Sequence, residues 1–276
     1  MVMICLSQRK LGVLLASFAV MLMCGCKPAN PVQVPYPQDV YLSREGHFAA
    51  ETFRYRIFLP ASRAAGEKLP VMLYLHGAGN RGDDNESQLN GLADQIAANS
   101  QKIKFIVVIP QCPADRFWDK DMLERANKAL DDTVAEFNGD KDRLYVAGFS
   151  LGGYGVWSIA AMFPGKFAAL APMSGRILPR PNEIKAVSPA VAELGKASEP
   201  YKAFAERIGS TPTWIFHGGD DRVVPLDSSR QMFAAMKAAG NQSVKYDEVP
   251  GIGHEPLAFR TDGFFDWLEK QRLDHK

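Results

Sequence analysis

The sequence predicts an α/β domain built on a mostly parallel sheet with helices on both faces. Two observations carry that expectation. Short apolar runs recur along the body: VMLYL (71–75), FIVVI (105–109), RLYVAG (143–148), FAALAPM (167–173) and TWIF (213–216). Runs that do not alternate with polar residues suit strands covered on both sides. Between them, apolar residues return every three or four positions, as in Leu123, Ala126, Leu130, Val134 and Phe137 and again in Met232, Phe233 and Met236, which is the period of a helix. Strand and helix in alternation define the class.

Taken in chain order, the first segment reads as an address. Arg9 and Lys10 precede a thirteen-residue run, 11–23, in which only Gly12 and Ser17 are not plainly apolar. That is the charged region and the apolar core of an export signal, shorter than the ~20 residues that span a bilayer. Met23-Cys24-Gly25-Cys26 resembles the lipobox of bacterial lipoproteins, with Met and Cys at positions where Leu and Ala or Ser are commoner. The expectation is a signal peptide of the lipoprotein type over 1–25 and a lipid on Cys26, which would leave an exported, envelope-facing protein anchored to a membrane without spanning it. KPANPVQVPYPQ follows, with four prolines in twelve residues, and residues 26–40 are read as an extended tether.

The globular domain is expected over 41–276. Phe53, Tyr55, Ile57 and Leu59 alternate with polar positions as a half-buried strand does, and VKYDEVP is the last strand. Residues 176–210 fit the alternation poorly. Four prolines punctuate them and one helix is expected, around 201–208, as part of an insertion that either caps a site or lies on the surface.

Composition narrows the function. At 46% hydrophobic and 23% charged, the 276 residues match an ordinary globular protein and exclude a wholly disordered or collagen-like chain. Thirty-two Lys plus Arg against thirty-one Asp plus Glu give a formal charge of +1, so no bulk field draws a nucleic acid. Three of the four cysteines fall in the first 26 residues. Cys112 remains, and is read as a small packed thiol because nothing beside it would activate it.

The chemistry centres on Gly148-Phe149-Ser150-Leu151-Gly152. A strand runs into this G-x-S-x-G and a helix-like stretch leaves it, so the turn presents the serine hydroxyl at the sheet's edge and aims a helix N-terminus at any oxyanion formed beside it. A serine needs a base and an acid to orient that base. Of five histidines, His47 is read as preceding the sheet and His275 as lying in the tail, both at the surface, while His76 and His217 each end a strand as His-Gly and are read as braces. His254, on the loop after the last strand, takes the role of base. The acid lies in HGGDD, where neighbouring aspartates point in opposite directions; Asp221 is favoured over Asp220. Leu151, next to the serine, and Ala78, in His76-Gly77-Ala78-Gly79, are expected to donate the two backbone N–H groups of an oxyanion hole.

Gly77, Gly79 and Gly82 also spell a dinucleotide fingerprint. The carboxylates of Asp83, Asp84 and Glu86 stand where a pyrophosphate would sit and no helix opens within the glycines, so that reading is set aside. The same acidic stretch lacks the spacing of a calcium loop.

With these residues in view the chain resembles the α/β hydrolase superfamily, and within it the bacterial esterases grouped as predicted peptidases or phospholipase/carboxylesterase-like proteins. The resemblance covers about residues 55–268 and rests on HGAGNRGDDNESQL, IPQCP with Trp118 nearby, GFSLGGYGVW, HGGDDRVVP and PGIGHEP. It implies an α/β hydrolase fold, with Ser150 as nucleophile, Asp221 as acid and His254 as base. It also implies ester hydrolysis without cofactor or metal, on a small-molecule or polysaccharide-linked ester. The chain departs from shorter members at 176–210, which leaves substrate preference open. A peptidase of the same fold and a non-catalytic ligand-binding lipoprotein are the competing readings.

Overall fold

Each apolar run divides its side chains between two cores. In β3 (Val71–Leu75) the residues Val71, Leu73 and Leu75 face one core, and Met72 and Tyr74 the other. β4 (Ile106–Pro110) and β5 (Leu144–Phe149) split in the same way, Ile106, Val108 and Val146 to one side and Val107, Ile109 and Tyr145 to the other. Alternation is present in these strands, but both faces are dry, so the sequence reads as continuous apolar residue.

The computed structural model describes residues 41–60 and 66–274. The expected leader over 1–25, the lipid site at Cys26, the tether over 26–40 and His275 lie outside the described residues. Among the described residues one sheet runs in the order β1-β2-β4-β3-β5-β6-β7-β8, completed by β1 (Tyr41–Phe48), β2 (Glu51–Phe58), β6 (Ala169–Met173), β7 (Thr213–Gly218) and β8 (Val244–Val249). β1 and β2 pair antiparallel, as do β2 and β4; every other pair is parallel. This is the mostly parallel sheet expected from the sequence.

Among the described residues five helices pack on one face: α2 (Lys120–Glu136), α3 (Leu151–Met162), α4 (Pro189–Lys196), α5 (Pro200–Ile208) and α6 (Asp227–Ala238). α1 (Leu92–Ala98) and α7 (Phe264–Glu269) pack on the other. The period behind α2 is borne out by Leu123, Ala126, Leu130 and Val134, all buried, and Asp119 caps the helix by accepting the Met122 N–H at 3.0 Å. Phe137 lies one residue past its end.

Two expectations are corrected. His47 does not precede the sheet: it sits exposed in β1, an edge strand whose short apolar content gives little sequence signal. Residues 176–210 hold two helices, α4 and α5, rather than one. Ser188 caps α4 by accepting the Val191 N–H at 3.2 Å, and a proline opens each helix. Neither a detachable cap nor a surface appendage describes this segment. Parallel β6 and β7 require a crossover, and these helices supply it while burying Val187, Val191, Phe204 and Ile208 in the core.

Because Phe204 is fully buried, Phe204→Ala is expected to cost about 3–5 kcal/mol of stability. Urea denaturation measures it, and a cost below about 1 kcal/mol would mean that the crossover is not part of the core.

Candidate active site

The site lies where β3, β5, β7 and β8 end. Ser150 is the first residue past β5 and has φ 57° and ψ −113°, a backbone conformation that a residue with a side chain adopts only when its surroundings impose it. The Ser150 N–H donates to the Met173 carbonyl at 2.8 Å and the Ser150 carbonyl accepts the Tyr154 N–H at 3.1 Å, which ties the turn to β6 and to α3. At Gly152 a Cβ would overlap the Leu75 carbonyl, so only glycine lets α3 approach β3 this closely.

The structure brings Ser150, His254 and Asp221 into one hydrogen-bonded row. His254 Nε2 lies 2.8 Å from Ser150 Oγ, and Nδ1 lies 2.7 Å from Asp221 Oδ2. A carboxylate only accepts, so the imidazole proton sits on Nδ1 and the Nε2 lone pair faces the serine hydroxyl. The two loops meet because Gly218 has no side chain: a Cβ there would overlap the Gly253 carbonyl. Backbone bonds from Gly219 N–H to Val249 and from Asp220 N–H to Ile252 clamp them, at 2.7 and 2.8 Å. Asp220 does not join the row.

Asp221 is buried and accepts from four donors. Oδ1 takes the Val223 and Val224 N–H groups at 2.8 and 3.0 Å, while Oδ2 takes His254 and, at 3.2 Å, His217 Nε2. Burial pushes its pKa up, but the His254 bond and the Val224 and Val223 amides outweigh that, and the carboxyl lies below its usual range. His217 is therefore more than a loop brace. Its Nε2–H also points at the Val224 carbonyl, 3.1 Å away, and Nδ1 accepts from Ser229 Oγ at 2.8 Å. Burial lowers its pKa and keeps it neutral. The spacing of His217, near the end of β7, and Asp221, four residues on in the tight loop that follows, was the sequence signal for this contact.

Leu151 opens α3 and Ala78 opens a single helical turn over 78–80, so neither N–H has a carbonyl one turn back to bond. Gly77 brings this loop against the serine: a Cβ there would lie 3.6 Å from Ser150 Cβ. Side-chain and main-chain hydrogen bonds hold the loop. Arg81 Nε donates to the Ala78 carbonyl at 3.0 Å, Trp118 Nε1 to the His76 carbonyl at 3.0 Å, and the Cys112 N–H to His76 Nε2 at 3.0 Å. Gln111 spans the gap from Asp84 to the Asn85 N–H, 2.6 Å on each side. The IPQCP segment and Trp118 thus act as the brace of the HGAGN loop. Asp84 receives the Glu86 and Ser87 N–H groups, which is a turn cap rather than a ligand site. Burial pushes the Cys112 thiol up to about 12, as befits a packed thiol.

A strained serine at the end of a central parallel strand, with its base and acid carried on the loops after later strands, is the arrangement of the α/β hydrolases, and nothing in it is particular to one substrate. Within that class, residues 115–271 match the prolyl oligopeptidase family, and the chain belongs to it. A bifunctional acetylxylan esterase/xylanase of Neocallimastix patriciarum is 31% identical over 253 residues, 79% of this chain and 33% of its own length. A poly(3-hydroxyoctanoate) depolymerase of Pseudomonas fluorescens is 28% identical over 59% of this chain and 58% of its own. A thermostable esterase of known structure is 26% identical and superposes with a TM-score of 0.67 over 85% of this chain and 64% of that one. The chain spans between 26% and 62% of the length of four curated relatives that it matches.

Two outcomes follow from these contacts. Gly152→Ala is expected to lower stability by about 3 kcal/mol or more, at or above the upper end of overpacking penalties, because backbone must move; a denaturation midpoint equal to wild type would contradict the close approach at Leu75. His76 is buried with its pKa lowered to about 4, chiefly by burial. Below about pH 6.5 the unfolded chain binds a proton that the folded protein refuses. Stability is thus expected to fall as pH drops from about 6.5 toward 4, by up to about 1.4 kcal/mol per pH unit from this residue. Urea titrations across that window should give a shallower slope for His76→Asn, and an unchanged slope would remove His76 as the cause.

Proposed function

We propose that this protein is a serine carboxylesterase that works through an acyl-enzyme. The observation that carries the reading is the row in which His254 stands 2.8 Å from Ser150 Oγ and 2.7 Å from Asp221. Ser150 Oγ attacks an ester carbonyl while His254 Nε2 takes its proton. Asp221 holds Nδ1–H in place and stabilises the imidazolium that forms. The developing oxyanion meets the Leu151 and Ala78 N–H groups, each such donor typically worth about 2.7–4 kcal/mol in the transition state. His254 then returns the proton to the leaving alcohol, and water, activated by the same imidazole, frees the acid.

The names of the relatives support an ester as the bond cleaved: an acetylxylan esterase/xylanase and a polyester depolymerase. The family's name favours a second reading, a peptidase using the same row. Charged Arg9 and Lys10, the apolar run to Met23 and Cys26 after Gly25 support export and a lipid anchor, and a relative described as a secreted protein supports export.

Wild type is expected to label with a fluorophosphonate and to hydrolyse p-nitrophenyl acetate. Ser150→Ala should abolish labelling and lower kcat by at least about 10⁴-fold, and Asp221→Asn should lower it by about 10⁴-fold. A wild-type protein that neither labels nor turns over ester would defeat the assignment, whereas cleavage of peptide anilides in preference to esters would favour the peptidase. Cys26→Ala should move the protein from the membrane to the soluble fraction; retention at the membrane would count against the anchor.

A further inference from the structure

His217 stands in β7, a strand buried along its whole length, on the face where Ile215, two residues back, packs into the core with α6. An imidazole in such a place costs desolvation that an aliphatic side chain would not. The structure offsets that cost by using both ring nitrogens. Nε2 faces two acceptors, the Val224 carbonyl at 3.1 Å and Asp221 Oδ2 at 3.2 Å, so it carries the proton, and Nδ1 is left to accept from Ser229 Oγ at 2.8 Å. Ser229 is itself buried, in the first turn of α6, and reaches the row through His217.

The backbone of the acid loop is held without this ring. The Asp221 N–H donates to the Gly218 carbonyl at 3.1 Å, the Gly219 and Asp220 amides donate to the Val249 and Ile252 carbonyls, and the Val223 and Val224 amides converge on Asp221 Oδ1. Those bonds fix Oδ1 but leave a planar carboxylate able to swing about it, which would carry Oδ2 away from His254. Among the described residues Oδ2 meets two donors, His254 Nδ1 and His217 Nε2. In the proposed reaction the first changes its charge at every turnover. The second does not: burial lowers the pKa of His217, so a neutral ring stays beside the carboxylate and sets no like charge against the imidazolium. A donor on the second lone pair of Oδ2 also favours the ionised carboxylate, which leaves the proton on His254.

From this geometry we propose that His217 is a positioning residue, holding Asp221 Oδ2 on His254 Nδ1, and that Ser229 fixes the His217 ring in the tautomer that does so. Neither residue touches a reacting atom; both act through Asp221. The proposal stands on the row of Ser150, His254 and Asp221 and uses the esterase reading only for the rates that measure it.

In the first arm of the test, kcat and KM for p-nitrophenyl acetate are measured in three variants. His217→Phe keeps a ring and removes the donor, His217→Gln puts an amide nitrogen where Nε2 stood, and Ser229→Ala introduces a residue that favours the helix it sits in. On the scale of a hydrogen bond to a charged group, kcat is expected to fall at least about tenfold in His217→Phe and about threefold in Ser229→Ala, with KM within about twofold of wild type, and His217→Gln is expected to recover most of the loss. In an Asp221→Ala background His217→Phe and Ser229→Ala are each expected to change kcat by less than about twofold, because the group they act through is gone. Ser229→Ala carries the same comparison if His217→Phe does not fold. An undiminished kcat in these variants, a loss that His217→Gln does not recover, or a loss of equal size without Asp221 leaves His217 a structural role and overturns the proposal.

The second arm needs no turnover. In Ser150→Ala the His254 Nδ1 proton, bonded to a carboxylate, is expected to give a far-downfield ¹H resonance, to shift or broaden away when His217→Phe is added, and to remain when His217→Gln is added instead. No such resonance in Ser150→Ala, or one unmoved by His217→Phe, overturns the positioning. If wild type hydrolyses no ester while this proton still responds to His217→Phe, the esterase reading falls and the positioning stands.

Discussion

The close approach of α3 to the end of β3 is the constraint from which the site is built. With Gly152 against the Leu75 carbonyl and the Ser150 N–H on the Met173 carbonyl, the chain between β5 and α3 has no path except the turn that places Ser150 at positive φ. Three strands contribute to that turn, β3, β5 and β6, and they are the centre of a sheet covered on both faces. The cost of the strained backbone, of order 1–3 kcal/mol, is carried by the core rather than by the site. A serine hydroxyl held this way does not have to search for its base.

The carboxylate end of the row follows a different logic. A buried charge is tolerated only when its lone pairs are filled, and Asp221 meets that condition with two backbone amides and two imidazoles. The two histidines share one oxygen without competing as charges, because burial keeps His217 neutral and its ring is fixed by Ser229 and the Val224 carbonyl. Among the described residues His254 is the partner of Asp221 whose ring also reaches Ser150, so the carboxylate bears on the serine through that one imidazole.

Much of this was legible in the sequence, for reasons that can be stated residue by residue. Runs such as VMLYL announce strands because both faces are dry, and the G-x-S-x-G turn is legible because its glycines answer to backbone overlap rather than to preference. Alternation along the loop meant that only one of Asp220 and Asp221 could face His254, and the resemblance implied Asp221. β1 was not legible: only Tyr41 and Gly46 are buried in it, and an edge strand with that little apolar content has no pattern to read. α4 was missed because the prolines that punctuate 176–210 read as breakers, whereas Pro189 and Pro200 stand in the first turn of their helices, where a missing N–H costs nothing.

The crossover between β6 and β7 bears on where selectivity can arise. Val187, Val191, Phe204 and Ile208 are committed to the core, so residues 176–210 cannot swing over the serine as a unit without opening the sheet's own packing. The 76–99 region has the opposite character: short helical turns, α1 of only seven residues, and a polar network of Arg56, Asp84, Asn85 and Gln111 that fixes the backbone. Position is therefore set on folding in two ways: Ser150, Asp221 and His254 stand on loops fixed to the central strands, and the segment leaving β3 is held against Ser150 by its own polar network rather than by the core.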